Sequence, residues 1–595
     1  MSKNFKLLSL EEHKLDWRHG LPYSLDYNDI FFNKDALEEI HYVYIEPNNI
    51  KKRFKSADNV VIGELGFGLG LNFLVTSQEW VKSKNNGHLT YLSIDSKAPT
   101  TANIKQALEQ FPKLEKYKEY FLKKFKPKHK GINKFFFNNW NIELIFVNLE
   151  VSDAITQLNW NMCIDAWYLD GFDPKHNPEM WTHNVLDTIT SSSKKGTTFS
   201  TFSAAGFLRR GMQERGFNVK KNSGFKSKRH HLSGNMEKDL KSSHRHCHNI
   251  AVIGSGIAGS STAYHLAKRG YCVDVFEYEK KISNGASGNP LAALYPKFNF
   301  TNNALNQLNL ISFFYSSHFY LGHLFDQAYV NSGIDFLAIN KNLRDWFNQL
   351  KETKRDDLFI FDNLVAKFSN CKYESLRMLD GGYLDPVLVN KALLNNKLIS
   401  VIKGVCFTNY IQTNDQIELI FKNANHPKCY DALVIANGSG LINFVSNLSF
   451  TKGQLVGANI NTKIKSPINS KGYILPQKDG LNWLGSTYER VFHDLAPDQK
   501  KSKDLIESHT DLLGIEKEYS SQKIKTRNQI RVGTNNKLPV AGRLKHTHNI
   551  FVIGGLGSRG FTYGPILGDH IASTIDSSIS PLTRKIRNEI SPESL

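Results

Sequence analysis

Residues 249–277 read NIAVIGSGIAGSSTAYHLAKRGYCVDVFE. The run 250–253 is short, apolar and β-branched, which predicts a buried strand. Gly254, Gly256 and Gly259 follow it at once, and a helix-compatible run covers 257–269. Each glycine has a physical task in such a turn. The first permits the tight bend, the second lets the backbone approach a pyrophosphate, and the third lets the helix pack closely on the strand. The helix start then aims its free N–H groups at the phosphates. A second strand, CVDVFE, ends at Glu277, about twenty residues on, where an acid suits a ribose diol. Strand, loop, helix, second strand and terminal acid occur together. That favours a dinucleotide site over a structural glycine turn.

A comparable unit lies upstream. Residues 59–70 read NVVIGELGFGLG, a strand entering a loop that carries Gly66 and Gly68, with Glu64 before the turn. Further strands are expected at 89–95, 142–149, 164–170 and 196–202, with helix-compatible segments between several of them. Alternation of this kind predicts a doubly wound parallel α/β sheet. The stretch 222–248 is polar and basic. Its second half reads as a linker, whereas GFKSKRHHLSG (224–234) also suits a last strand of the first domain. His244, His246, Cys247 and His248 lack the paired spacing of a structural zinc site, and a solvated linker accounts for them better. The expected organisation is a first domain over 1–240, a linker over 241–248 and a second domain over 249–595.

The chain has 595 residues, of which 40% are hydrophobic and 12% aromatic, enough to build more than one core. A net charge of +19 fits a polyanionic partner, although basic composition also arises from genomic bias. Six cysteines form no CxxC pair, which suits a reducing cytoplasm. The N-terminus has acids where a signal peptide needs an apolar run, and no stretch is long enough to span a bilayer.

Two features downstream favour FAD over NAD in the second half. Residues 431–438 (DALVIANG) suit a further strand ending in a small-residue turn. Residues 552–572 (VIGGLGSRGFTYGPILGDHIA) add a turn with Gly555 and Gly557 that opens a helix. A helix N-terminus there suits an anionic reduced flavin. In the first half, spacing favours S-adenosylmethionine. The loop at Gly66 and Gly68 passes under the methionine portion, Asp95 ends the second strand facing the ribose diol, and Asp153 is placed to accept from the adenine amine. The fourth strand ends at Asp170 in DGFDP (170–174), where open α/β sheets bind ligands.

The segment GASGNPLAALYP (285–296), which contains Ser287 and Gly288, resembles the signature of glycine-oxidase-like flavoproteins. GGYLDP (381–386), KGQL (452–455), GYILP (472–476), LGSTYER (484–490), RNQIRV (527–532), LPVAG (538–542) and GLGSRG (555–560) extend that likeness in order. More narrowly, they resemble the carboxy-terminal half of the bifunctional tRNA 5-methylaminomethyl-2-thiouridine biosynthesis proteins. DAWYLDGFDPKHNPEMW (165–181), FSAAGFLRRGMQERGF (202–217) and GFKSKRHHLSG resemble their amino-terminal half. The likeness covers nearly the whole chain. It departs from the family at Asp95, usually Glu, at SDA (152–154), usually GDA, at DGFDP, usually DGFAP, and at GELGFGLG (63–70), usually GETGFGTG.

This resemblance implies a Rossmann-like S-adenosylmethionine methyltransferase domain followed by a glycine-oxidase-like FAD domain with an inserted α+β substrate region. It implies an FAD-dependent removal of the carboxymethyl group from 5-carboxymethylaminomethyl-uridine of tRNA, then N-methylation of the freed amine. Arg531 and Arg559 are the cations expected to hold the substrate carboxylate, because a guanidinium matches it bidentately. Asp170 is expected to orient the amine. The alternatives are a free amino-acid oxidase fused to a small-molecule amine methyltransferase, and a non-enzymatic RNA-binding protein. The positive charge argues against the first, and the acids kept at strand ends argue against the second. The Lys-rich stretch 116–134 suits either RNA phosphate or a solvated loop.

Overall fold

The computed structural model describes residues 6–594 except 58, 227, 239–247, 363–364, 368, 414–415, 425–427, 461, 463 and 516–523. Apart from His248, the expected linker lies outside the described residues, and so do His244, His246 and Cys247. The chain forms two compact units. One comprises Lys6–His246 with Ser577–Arg584, and the other comprises Cys247–Asp576 with Lys585–Leu595.

The first unit is built on eight strands: β1 (Asn59–Leu65), β2 (His88–Ile94), β3 (Gly131–Phe137), β4 (Ile142–Asn148), β5 (Ile164–Leu169), β6 (Ser193–Thr201), β7 (Phe217–Ser223) and β8 (His230–Met236). Their spatial order is β7-β8-β6-β5-β1-β2-β4-β3. The five predicted strands form the parallel centre, β1, β2, β4, β5 and β6. β1 runs between β2 and β5 in a register that sets Leu65 beside both Ile94 and Leu169. The carboxyl ends of three strands therefore finish in one row. The ladder continues one step further, because Gly66 N donates to Ile94 O at 2.9 Å and Asp170 N to Leu65 O at 2.9 Å. At Gly66 the backbone has φ +90°, and a Cβ there would lie 2.6 Å from Asp170 O. Only glycine turns this corner so close to the neighbouring strand.

The Lys-rich stretch is folded rather than a loop. It forms a helix, Glu115–Lys124, and the antiparallel edge strand β3. Phe121 and Phe125, set between the lysines, and Phe135, just beyond them, are buried in the core. Lys134 is buried and paired with Glu143 at 2.8 Å. GFKSKRHHLSG does feed a last strand, β8, antiparallel to both β7 and β6. Ser577–Arg584, expected in the second domain, packs with the first unit. The Asn159 side chain donates to Ser578 O at 2.7 Å and accepts from Ser580 N at 2.9 Å, and Ile579 is fully buried in that core.

In the second unit the strands β9 (Asn249–Ile253), β10 (Cys272–Glu277), β11 (Ile399–Lys403), β12 (Ala432–Ile435), β13 (Val540–Arg543) and β14 (Ile550–Gly554) form a sheet in the order β11-β10-β9-β12-β14-β13. All neighbours are parallel except the β13–β14 pair. A second, mixed sheet of eight strands carries the long antiparallel pair Leu448–Ala458 and Lys525–Thr534, with Thr451 opposite Arg531. The helices Ile257–Lys268 and Gly560–Ile575 both begin at the carboxyl ends of sheet strands. Among the described residues no helix is long and apolar enough to cross a membrane.

Gly254 repeats the corner seen at Gly66, with φ +106° and a Cβ position 2.6 Å from Ala436 O. Gly254→Ala should lower the stability of the second unit by about 3 kcal/mol through combined strain and overlap. Gly270→Ala meets the same kind of strain, at φ +93°, with nothing within 4 Å. Its cost should be near 1 kcal/mol. Calorimetric melting of the two variants checks the ordering, and equal shifts would remove the close approach as the cause.

Candidate active sites

The first unit holds a cavity of about 370 Å³ at the carboxyl ends of its parallel strands. Gly66 and Gly68, Asp95, Leu149–Val151 and Asp170–Asp173 border it from the sheet side. Tyr27, Asp29–Asn33 and Tyr44 border it from the amino-terminal segment, which sequence reasoning had not assigned to the site. Tyr27 stacks on Phe172 with ring centroids 4.6 Å apart, and Phe31 meets Phe172 edge-on at 5.2 Å. Trp181 stands behind this wall and donates to Phe172 O at 3.2 Å.

Asp170 is the best-supported group in this cavity. The Tyr44 hydroxyl donates to its Oδ1, and the Asn72 amide donates to its Oδ2 at 2.6 Å. Asn72 also donates to Glu64 Oε1 at 3.0 Å, while Ser93 donates to Glu64 Oε2 at 2.6 Å. Glu64 is completely buried and absent from the cavity wall. Expected as a cofactor ligand, it acts instead as the anchor of Asn72. Burial pushes its pKa up to about 8 and outweighs the Ser93 hydrogen bond. Burial also raises Asp170 to about 6, against the hydrogen bonds of Tyr44 and Asn72. Lys228, paired with Glu39 at 2.6 Å, adds a weaker opposing effect on Asp170.

Asp95 reaches the cavity with its carboxylate held by Gly68 N at 2.9 Å and Lys97 N at 3.1 Å, and with His13 Nε2 at 3.5 Å. Asp153 does not reach it. The side chain is exposed on the helix Val151–Gln157, and Glu150 borders the cavity in its place. The corner of the chain arrives three residues earlier than motif position suggested.

The second unit holds a cavity of about 640 Å³. Gly254, Gly256, Glu277, Ser287, Gly555 and Gly557 line it together. Glu277 accepts from Ser255 N at 2.9 Å and Ser255 Oγ at 2.5 Å through one oxygen, and from Glu279 N at 2.9 Å through the other. Ser287 Oγ accepts from Ile257 N at 3.0 Å at the start of the twelve-residue helix. A Cβ on Gly256 would press on the Ser287 side chain, 3.1 Å from its Oγ and 3.8 Å from its Cβ, and one on Gly557 would meet nothing within 4 Å. Gly557 thus leaves open space that a side chain would fill, and bare backbone at Gly256 keeps the helix start uncrowded on the cavity wall, so the residues fit an extended dinucleotide with its pyrophosphate there. Gly259 and Gly288 lie under this surface. A Cβ on them would overlap Gly254 O and Ser283 O, so they pack the loop rather than touch a ligand.

The two arginines separate. Arg531 lines the cavity and donates to Ser486 Oγ at 2.6 Å. Arg559 is absent from the lining and donates to Asn309 Oδ1 at 2.7 Å and to the Tyr563 hydroxyl at 2.9 Å. Tyr295 and Tyr473, within the quoted motifs but not singled out, face the cavity beside Arg531. Burial raises both phenols, Tyr473 to about 12, against the nearby guanidinium charge. Both are protonated donors at neutral pH.

Comparison with known proteins agrees with this division. Residues 112–237 match the family described as S-adenosyl-L-methionine-dependent methyltransferase, and residues 249–574 match that of FAD dependent oxidoreductase. Fold and cavities therefore define a methyltransferase joined to a flavin-dependent oxidoreductase. More narrowly, the chain belongs to the family of tRNA 5-methylaminomethyl-2-thiouridine biosynthesis bifunctional proteins. The MnmC protein of Campylobacter jejuni (strain RM1221) is 30% identical, with 84% of this chain and 81% of the relative covered. That of Pseudoalteromonas atlantica is 27% identical, with 96% of each covered. Among solved structures, glycine oxidase from Bacillus cereus ATCC 14579 matches at 20% identity with a TM-score of 0.48, over 56% of this chain and 97% of that one.

The raised pKa of Glu64 has a consequence for stability. An unfolded glutamate titrates near 4.3 and the folded one near 8, so between these values the folded chain holds a proton that the unfolded chain has lost. Stability contributed by this group must fall as pH rises through that window. Glu64→Gln keeps an acceptor for Asn72 and removes the titration. The parent should lose stability relative to this variant between about pH 5 and 8. Urea unfolding of both proteins at several pH values measures it, and parallel curves would refute the assignment.

Proposed function

We propose that the chain performs two successive reactions on a modified wobble uridine of tRNA. The second unit removes the carboxymethyl group from 5-carboxymethylaminomethyl-(2-thio)uridine, and the first methylates the resulting amine. The observation that carries this reading is the pairing of two ligand-sized cavities in one chain, one with Asp170 on its wall and the other with Arg531. The printed names of the relatives, tRNA 5-methylaminomethyl-2-thiouridine biosynthesis bifunctional protein, supply the RNA and the base. A cytoplasmic setting goes with this substrate.

When bound, FAD supplies the two-electron oxidant and S-adenosylmethionine the methyl group. In the second unit Arg531 is proposed to grip the substrate carboxylate bidentately, with Ser486 holding the guanidinium in place. Arg559 is assigned a supporting part, since Asn309 and Tyr563 already engage it. Net cleavage breaks the bond between the amine nitrogen and the methylene carbon. Two electrons leave that carbon, water provides the new carbonyl oxygen, and glyoxylate departs. Tyr295 and Tyr473 can donate hydrogen bonds but hold no negative charge to repel the carboxylate.

In the first unit Asp170 is proposed to orient the amine. An alkyl amine has an unperturbed pKa near that of lysine, about 10.4, and its ammonium form has no lone pair to attack a methyl group. The Asp170 carboxylate can accept an N–H bond, aim the nitrogen and take up the proton. Only the ionised form does this, and with Asp170 near 6 methyl transfer should fall on the acid side of that value. Tyr44→Phe deletes a donor that stabilises the carboxylate, so the acid limb should move to higher pH by about one unit. A limb that stays in place would show that another group governs it.

Nucleoside mass analysis after incubating the protein with carboxymethylaminomethyl-tRNA tests the assignment as a whole. Arg531→Met should leave the carboxymethylated form, and Asp170→Ala should accumulate the aminomethyl form. Glyoxylate release from free glycine at a rate matching that from tRNA would favour the small-molecule alternative.

A further inference from the structure

The segment between Ser486 and Leu495 presents apolar side chains to solvent without being loose. Tyr488 is 64% exposed, Val491 83% and Leu495 41%. The backbone beneath them is pinned at several points. Lys452 and Glu489 exchange two backbone hydrogen bonds of 2.9 and 3.0 Å, and Thr487 N donates to Gln454 O at 3.1 Å. The Lys452 ammonium donates to Ala496 O at 2.8 Å, and Asn528 donates to Leu495 O at 2.9 Å. Glu489 is neutralised by Lys501 at 2.8 Å, and Asp494 lies 3.7 Å from Lys452. A fixed loop holding an aromatic ring and two aliphatic chains in water exposes apolar surface that a partner would cover.

Its position and charge identify that partner. Ser486 and Leu495, at the two ends of the loop, both line the second cavity. The Arg490 guanidinium lies 5.9 Å from the Tyr488 ring centre. A hydrogen bond with Thr451, and then the cations Arg490 and Arg531, hold the Tyr488 phenol below its ordinary range; burial, and then Arg559 and Lys537, lower Lys297. Cations therefore gather around an exposed ring at the mouth of the oxidase cavity. Aromatic faces beside basic side chains are how proteins hold unpaired bases, by stacking on the ring while phosphates meet the cations.

We propose that Tyr488, supported by Val491 and flanked by Arg490, is a stacking platform for an unpaired nucleotide adjoining the uridine that enters the second cavity. This rests on the proposed function, which supplies an RNA substrate whose target base must leave its stack to reach a buried site. The platform takes the face of the neighbouring base and keeps the loop RNA open while the uridine is inside. A ring is needed and its hydroxyl is not, which separates this role from hydrogen-bonded positioning.

Two measurements on the full chain with its FAD test it. The first is anisotropy titration of an unmodified anticodon stem–loop RNA. The second is steady-state oxidation of carboxymethylaminomethyl-tRNA. Tyr488→Ala should weaken hairpin binding and raise KM by about tenfold, with kcat within twofold of the parent, and Tyr488→Phe should restore both. Retained flavin absorbance shows that the variants are folded. Unchanged binding and KM would overturn the proposal. So would a fall in kcat at constant KM, which would make Tyr488 part of the reaction centre. A loss of self-association on light scattering, with RNA binding intact, would mean that a second copy covers the patch. If the parent fails to oxidise the tRNA yet Tyr488→Ala still weakens hairpin binding, the proposed function fails and the platform stands.

Discussion

Both cavities depend on one constraint: a strand must end, reverse and start a helix while its backbone presses against the end of the neighbouring strand. In the first unit the contact is Gly66 against Asp170 O, and in the second it is Gly254 against Ala436 O. In both cases the backbone adopts a positive φ that a side chain would oppose. Because the parallel register is kept to the last residue, each corner falls in line with the next strand's terminal group. Ligand-facing amides and acidic side chains are placed by that alignment. Everything else about the sites is added onto it from elsewhere in the chain.

What is added differs in charge. The first cavity is bordered by Asp29, Glu39, Asp95, Glu150, Asp170, Asp173 and Glu179, with Lys228 the cation among its lining residues. The second is bordered by Glu277 at its nucleotide end and Arg531 further along. An amine and a sulfonium are drawn to the first environment, and a carboxylate is opposed there. Under the proposed function this separates the two substrates by one functional group. The side chain is an amino acid before the oxidation and a simple amine after it. The acidic first cavity then disfavours the carboxylate that Arg531 is placed to hold in the second, so methylation is favoured once that group is gone.

Sequence carried the parts of this that are local. Asp170 rested on the rule that open α/β sheets bind ligands at the carboxyl ends of their strands. Strand, glycine loop and terminal acid lie within about thirty residues of each other at Gly66 with Asp95 and at Gly254 with Glu277, so those corners were legible. Features that depend on side-chain direction were not. Glu64 sits on the buried side of its strand, and Asp153 lies a turn beyond the corner it was meant to occupy. Arg559 shares a motif with the glycines of the cavity, yet its helix turns it toward Asn309. Contributions from distant sequence were invisible altogether. Tyr44 meets Asp170 across 126 positions, and no periodicity in either segment records it. The Lys-rich stretch misled because charge dominates its composition, whereas the phenylalanines between the lysines decide its fold.

The short return of Ser577–Arg584 to the first unit bears on how such a fusion can be divided. Residues from the far end of the chain complete the methyltransferase core, with Ile579 fully buried there. In connectivity the two units are therefore interleaved: Cys247–Asp576 of the oxidase lies between two pieces of its partner, and Lys585–Leu595 returns to the oxidase. Burying an isoleucine of this kind contributes about 1.5–3 kcal/mol, a sizeable part of the stability of an ordinary domain. A gene fission at the linker would strand that peptide on the wrong product. Separate descendants of the two halves would each have to mend a gap, one by supplying a new plug for its core and the other by masking or excising an orphaned apolar segment ahead of Lys585–Leu595.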